Sequence, residues 1–273
     1  MKRILAVIIM LLVPWAGSAT ETMPWFGNVM EFEFRSSYAF RHYTTVDVGG
    51  TSGDHSSDDH LLNLSLALTP VTQWSGEVEL LVVRTAEQGF SVAHLRAIGR
   101  YLWTDDVIGD PFSLTTGMSL TIPVKTSQQD ISLGYHGDVE VEFHAAIGRE
   151  LPSNGDSWLM RGWGEASAGI ANIGSPWFGF AANVEGNYCD RHQLRFFAIG
   201  RWGVGDADID ITVEPFQGYS HIDHRSIDLG VRYSYQTCYS GVLSVEFSHR
   251  LLARNYPEDV SCYVVSYLWP FSL

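Results

Sequence analysis

Apolar and polar residues alternate along most of the chain with a period of two, and the alternation breaks at hairpin-like intervals. The last stretch shows this best. Tyr263, Val265, Tyr267, Trp269, Phe271 and Leu273 share one face, and Cys262, Val264, Ser266, Leu268, Pro270 and Ser272 share the other. A period of two belongs to a strand, whose successive side chains point to opposite faces. Twelve such segments are expected: 29–43, 60–69, 74–84, 90–103, 112–124, 137–147, 158–170, 177–188, 193–204, 226–235, 242–252 and 261–273. In the first, Met30, Phe32, Phe34, Tyr38 and Phe40 stand opposite Glu31, Glu33 and Arg35. In the second, Leu62, Leu64, Leu66 and Leu68 stand opposite Asn63, Ser65, Ala67 and Thr69.

The polar faces of the later segments are charged. They place Glu77, Glu79, His94, Arg96, Arg100, Asp138, Glu140, Glu142, Arg161, Glu165, Glu185, Arg195, Arg201, Asp228, Arg232 and Glu246 on the side away from the apolar rows. A soluble sandwich also alternates, with its polar face in water. Three features favour a closed barrel in a membrane. Arginine and glutamate dominate the polar face and lysine is nearly missing from it. Aromatics gather at segment ends (Tyr101, Trp103, Trp158, Trp177, Tyr188, Trp202, Tyr233, Tyr235, Trp269), as interfacial girdles do. An even strand number puts the two longest connections, 44–59 and 205–225, at one end and short ones near Pro70, Cys189 and Cys238 at the other. Closure follows, because an open sheet edge in hydrocarbon would leave backbone groups unpaired.

The terminal alternation, with aromatics on every second residue, resembles the closing strand of Gram-negative outer-membrane β-barrels. That class usually ends in Phe, whereas this chain ends in Leu273. The resemblance is to an architecture and not to one family. It implies an all-β fold, a transmembrane antiparallel β-barrel of about twelve strands, closed. It also implies contact with outer-membrane lipid and lipopolysaccharide, and a C-terminal strand read by the barrel assembly machinery.

The N-terminus fits an exported chain. Lys2 and Arg3 precede an apolar run from Ile4 to Val13, and Gly17-Ser18-Ala19 offers a small-residue cleavage site. Pro14 and Gly17 cut the run short of the roughly 20 residues a membrane helix needs. The expected organisation is a cleaved signal peptide over 1–19, a short periplasmic segment over 20–28, and a barrel over 29–273. The net charge is -14, and losing Lys2 and Arg3 takes it to -16. Such a chain lacks the basic footprint that nucleic acid demands. Cys189, Cys238 and Cys262 are an odd set for an oxidising compartment, and a Cys189–Cys238 bridge between turns at one end is one possibility.

The charged faces support two readings. One is a narrow hydrated passage whose acid excess favours cations or small polar solutes. The other is a bore plugged by cross-strand pairs such as Glu79 with Arg96 and Glu185 with Arg195, worth about 0.2–1 kcal/mol each. A channel is the expectation, with a structural barrel using its outer loops on a partner as the alternative. A third reading rests on His224-Arg225-Ser226, an H-x-S spacing that resembles outer-membrane lipases and lipid A deacylases, with Asp228 on the same face. Here the register points Ser226 inward, away from lipid, and Ile227-Asp228 stands where the phospholipase motif has Asn-Gly. Asp206, Asp208 and Asp210 resemble the start of a calcium loop, but Ile211 and Gln217 stand where it needs Gly and an acid. Asp54, His55, Asp58, Asp59 and His60 form a second acidic run. Neither is specific, so no metal and no cofactor is expected.

Overall fold

The computed structural model describes residues 23–153, 157–212, 215–237 and 241–272. The expected signal segment 1–19, residues 20–22, Cys238 and Leu273 lie outside them. Twelve strands run β1 (Phe32–Val48), β2 (Thr51–Val71), β3 (Trp74–Arg84), β4 (Ser91–Thr104), β5 (Ser113–Pro123), β6 (Glu140–Pro152), β7 (Trp158–Ala171), β8 (Trp177–Tyr188), β9 (His192–Gly203), β10 (Arg225–Gln236), β11 (Val242–Arg254) and β12 (Ser261–Phe271). Each pairs antiparallel with its sequence neighbours, and β1 pairs with β12 from Phe32↔Phe271 to His42↔Ser261. The sheet closes on itself and leaves no edge, which removes the sandwich reading.

The side-chain alternation sorts by solvent exposure. On β12, Tyr263, Tyr267 and Trp269 are exposed while Val264 is buried. Phe143 is 56%, Phe196 59% and Leu251 63% exposed, and such rows circle the outer wall. A protein in water seldom shows so much contiguous apolar surface, whereas hydrocarbon accepts it. At one end the outer aromatics join in groups. Trp74, Tyr101 and Trp103 stack edge to face, Phe32 stacks on Phe271, and His192 sits between Tyr233 and Tyr235. Trp177 does not belong to this girdle. It is buried at the opposite end, with the His136 ring stacked on it at 3.9 Å.

The girdled end, or turn end, carries the chain termini and the connections after β2, β4, β6, β8 and β10. The opposite, loop end carries the rest. Two of its connections differ from expectation. Residues 44–59 are not a loop, because β1 and β2 continue past the wall as a hairpin closed by Gly49 and Gly50. Both glycines have positive φ (61° and 95°), which a two-residue hairpin turn of this hand requires. Val46 and Val48 are the only large apolar residues of 44–59, a row too short for alternation to reveal. The connections 124–139 and 204–224 instead fold over the mouth. Their Ile131, Ile209, Phe216, Tyr219 and Ile222 pack with Tyr43, Val46, Tyr256 and Val260 into one buried apolar cluster.

Candidate functional site

Inside the wall the charged residues meet. Glu33, Arg35, Glu77, Arg100, Arg161, Arg195 and Arg232 surround a cavity of about 230 Å³ toward the turn end. A second cavity of about 430 Å³ lies toward the loop end, lined by Glu79, His94, Arg96, Glu140, Glu142, Glu165, Arg201, Asp228 and Glu246 among others. Met23, Arg195 and Arg232 line both, so they mark where the two cavities adjoin.

The strand register puts acids beside bases. Glu79 faces Arg96 and Glu185 faces Arg195 across their ladders. Glu185, 1% exposed, accepts from Arg161 at 2.6 Å and from Arg195 at 3.2 Å, one carboxylate shared by two guanidiniums. Glu246 accepts from Arg232 at 2.6 Å, and Arg96 reaches Glu142 at 3.3 Å. Arg100 lies 3.7 Å from Glu77. His94 bridges Glu79 at 2.8 Å and the Tyr135 hydroxyl of the folded-in connection. His136 stands 3.6 Å from Glu140.

Two expected lumen residues lie elsewhere. Asp138 is exposed on the connection before β6, where it exchanges hydrogen bonds with Asn172, because β6 begins at Glu140 and not at 137. Glu31 precedes β1 and accepts from Asn28 at 2.7 Å at the turn end. Conversely, Arg41 and Arg250 point inward. Arg41 pairs with the buried Asp59 at 2.7 Å, and Arg250 grips Asp228 through two bonds of 2.7 and 3.0 Å. Both continue rows already evident, Glu33–Arg35–Arg41 and Ser244–Glu246–Arg250, so the alternation carried the signal. With these changes the acid excess disappears. Nine arginines and eight carboxylates line the two cavities. The acid surplus of the chain sits instead on exposed end residues such as Asp54, Asp58, Asp110 and Asp206, so the expected bias toward cations loses its basis.

The N-terminal segment enters the bore, which no periodicity signalled. Pro24 is fully buried, and Gly148 provides its seat: a Cβ there would come within 2.9 Å of Pro24 and Trp25. Trp25 packs edge to face on Trp163 and joins Trp158 and Trp163 around the Arg161 guanidinium, at 5.4, 4.3 and 5.6 Å. Phe26 sits 5.3 Å from the Arg100 guanidinium. Such cation–π contacts are worth about 0.5–2 kcal/mol each. The Trp25 indole also donates to Asp106 at 2.9 Å. Burial pushes the Asp106 carboxyl up, but hydrogen bonds from Ser113, the Glu150 amide and Trp25 outweigh this and hold its pKa below the usual value.

The residues that resembled a lipase are not assembled as one. The Ser226 hydroxyl is buried without a hydrogen-bond partner, Asp228 is held by Arg250, and the His224 Nδ1 contacts its own chain at Ile222 O. His224 lies instead in an aromatic nest with His136 at 5.0 Å, Tyr219 at 5.2 Å and Tyr256 at 5.6 Å. Burial, with the neighbouring His136 charge second, lowers its pKa to about 3. The acidic runs are likewise engaged. Asp208 accepts from Asn255, Asp210 from Thr212, and Asp58 pairs with His42. Cys189 is exposed on the β8–β9 turn, and the bridge considered with Cys238 falls outside the described residues.

A closed, twelve-stranded antiparallel barrel with an apolar outer face and a charged interior is the fold of an outer-membrane β-barrel. Solved structures share it. An outer membrane channel from Pseudomonas putida F1 superposes with a TM-score of 0.68 at 14% identity, over 93% of this chain and 100% of that one. The NanC porin gives 0.57 at 6% identity, over 86% and 98%. The KdgM porin, solved in complex with disordered oligogalacturonate, gives 0.51 at 11% identity, over 86% and 99%. No protein-family model matches the chain, and no curated protein sequence does.

Proposed function

We propose that this chain is an outer-membrane barrel that passes small polar solutes or ions through a narrow, charge-lined lumen. The observation that carries the reading is the pair of adjoining cavities, about 230 and 430 Å³, walled by alternating arginines and carboxylates. Twelve strands lie between eight-stranded barrels, whose interiors side chains fill, and sixteen-stranded ones that hold an open channel. The N-terminal segment and the folded-in connections narrow the bore further. Mixed charge suits polar solutes of either sign, because each ion meets both a partner and a like charge.

Residues 1–19 would export the chain and be removed, leaving the N-terminal segment to enter the bore from the periplasmic, turn end. Lipid would cover the outer apolar rows, lipopolysaccharide would meet the loop end, and the assembly machinery would read β12. The test is swelling of proteoliposomes in isosmotic solutes. Serine- or arabinose-sized solutes should enter and a trisaccharide should not. Failure of every small solute to enter, with a barrel shown to be folded by heat-modifiable electrophoretic migration, would overturn the reading.

A further inference from the structure

Two arginines stand side by side on the outer wall, where the alternation otherwise places apolar residues. Arg225 opens β10 and Arg254 ends β11, and the ladder sets them directly opposite each other. Trp202 of β9 is the partner of Arg225 on its other side, so one row crosses three strands at the loop end. The row faces outward. Ser226 and Ala253, the next pair down, point inward: Ser226 is buried and Ala253 packs on the apolar cluster of the mouth. Like charges directly opposite on a ladder repel. Asp223 answers this pair only in part. It accepts from Arg225 through two bonds of 3.2 and 3.1 Å and lies 3.6 Å from Arg254. Asp208 accepts instead from the buried Asn255 side chain. Among the described residues, one carboxylate therefore serves two guanidiniums, and one positive charge is left over. The two arginine side chains are 44% and 45% exposed, so donors remain open to the surroundings.

The wall beneath the row is apolar. Ile227 and Leu252 form the next outward pair, about 6.7 Å nearer the midplane. A bulge at Ile227/Asp228 adds Leu251, and Leu251, Leu252 and Leu229 are all exposed. Trp202 stacks on Phe180 at 4.8 Å, and Gly200 makes room for this, because a Cβ there would collide with the Phe180 ring. The indole is thereby held beside Arg225. A lipid-facing cation is costly at the midplane and tolerated at the interface, and these two stand at strand ends. Guanidinium forks bind phosphate oxygens in pairs. A cationic pair above a hydrocarbon face thus matches an amphiphile that carries phosphate above acyl chains. A zwitterionic phospholipid brings its own cation to the same place, whereas a phosphorylated glycolipid does not.

Resting on the reading that the loop end lies in the outer leaflet, we propose that this patch binds one lipid A phosphate. The phosphate bridges Arg225 and Arg254, and acyl chains lie along Ile227, Leu252, Leu251 and Leu229. Asp223 competes with the phosphate for both guanidiniums.

Native mass spectrometry of the detergent-folded mature protein, with hexa-acylated bisphosphoryl lipid A as the probe, tests this. One lipid A should be retained per barrel, at least tenfold more tightly than phosphate-free lipid A or phosphatidylethanolamine. Changing Arg225→Gln and Arg254→Gln together should weaken lipid A by about tenfold or more and leave phosphatidylethanolamine unchanged. Asp223→Asn should tighten lipid A, a change opposite in sign to a structural loss, which keeps the test open should the double variant fail to fold. Arg149→Gln, at an exposed position near the turn end of β6, should change nothing. Equal retention of phosphorylated and phosphate-free lipid A, an unchanged folded double variant, an equal loss in Arg149→Gln, or no tightening in Asp223→Asn overturns the proposal. Displacement of lipid A by an equal concentration of inorganic phosphate overturns the assignment to a lipid. Solute entry by the wild-type barrel without lipid A retention sinks this inference alone. Lipid A retention without solute entry sinks the channel reading and leaves the site standing.

Discussion

Removing Glu185 should both weaken the barrel and recharge its turn-end half. Its carboxylate is 1% exposed and accepts from two guanidiniums, Arg161 at 2.6 Å and Arg195 at 3.2 Å. Glu185→Gln keeps the shape and deletes the charge, leaving two arginines beside one amide oxygen. Breaking a buried ion pair by removing one partner costs about 3–5 kcal/mol. Two features place this site near the bottom of that range. The adjoining cavity admits water, and Arg161 and Arg195 keep their contacts with the Trp163 ring at 5.6 and 4.7 Å. A loss of about 3 kcal/mol is therefore expected, read as a lower urea midpoint for unfolding from lipid vesicles followed by tryptophan fluorescence. The same change adds one net positive charge to a cavity already lined by five arginines and two carboxylates, so the reversal potential in a salt gradient should shift toward anions. The exposed Asp138→Asn, tested alongside, should unfold at the wild-type urea midpoint. A Glu185→Gln barrel as stable as that control, with its selectivity unmoved, would refute the reasoning.

Two further outcomes are expected at the loop end. Ser226→Ala removes a buried hydroxyl that has no partner, so stability should hold or rise by about 1 kcal/mol, and a fall of more than about 0.5 kcal/mol would contradict the placement. Acid should weaken the folded mouth through His224. Its folded pKa, about 3, lies below the ordinary value near 6.5, so below pH 6.5 the unfolded chain takes a proton the folded one refuses. That contribution is fully present above pH 6.5 and is lost as pH falls toward 3, by about 1.4 kcal/mol per unit. Unfolding midpoints of His224→Phe between pH 7 and 4.5 should fall less steeply than those of wild type, and parallel slopes would contradict this.

The wall was legible in the sequence and the contents of the bore only partly so. Alternation depends on one face meeting lipid and the other the lumen, so it marked twelve strands, the Glu185–Arg195 register and the charged face. It also reached Arg41 and Arg250, which extend rows it had already drawn. It was silent where a segment lies free of that two-sided environment. Trp25 and Phe26 approach the bore from inside, and Ile131, Tyr135 and His136 sit on a connection with no period. Strand limits also misled, since the hairpin around Gly49 and Gly50 leaves the wall and has only Val46 and Val48 as an apolar row. The Ser226 triplet had the spacing of chemistry without its contacts, because His224 turns into an aromatic nest instead.

Single-channel recording in planar bilayers, with the mature chain and with the same chain lacking residues 23–28, measures the passage and its constriction together. Small, resolved current steps are expected from the full mature chain, and larger steps once Trp25 and Phe26 no longer occupy the bore. Folded barrels of both kinds that insert and carry no current would contradict the proposed passage, and equal steps from both would contradict the part assigned to the N-terminal segment.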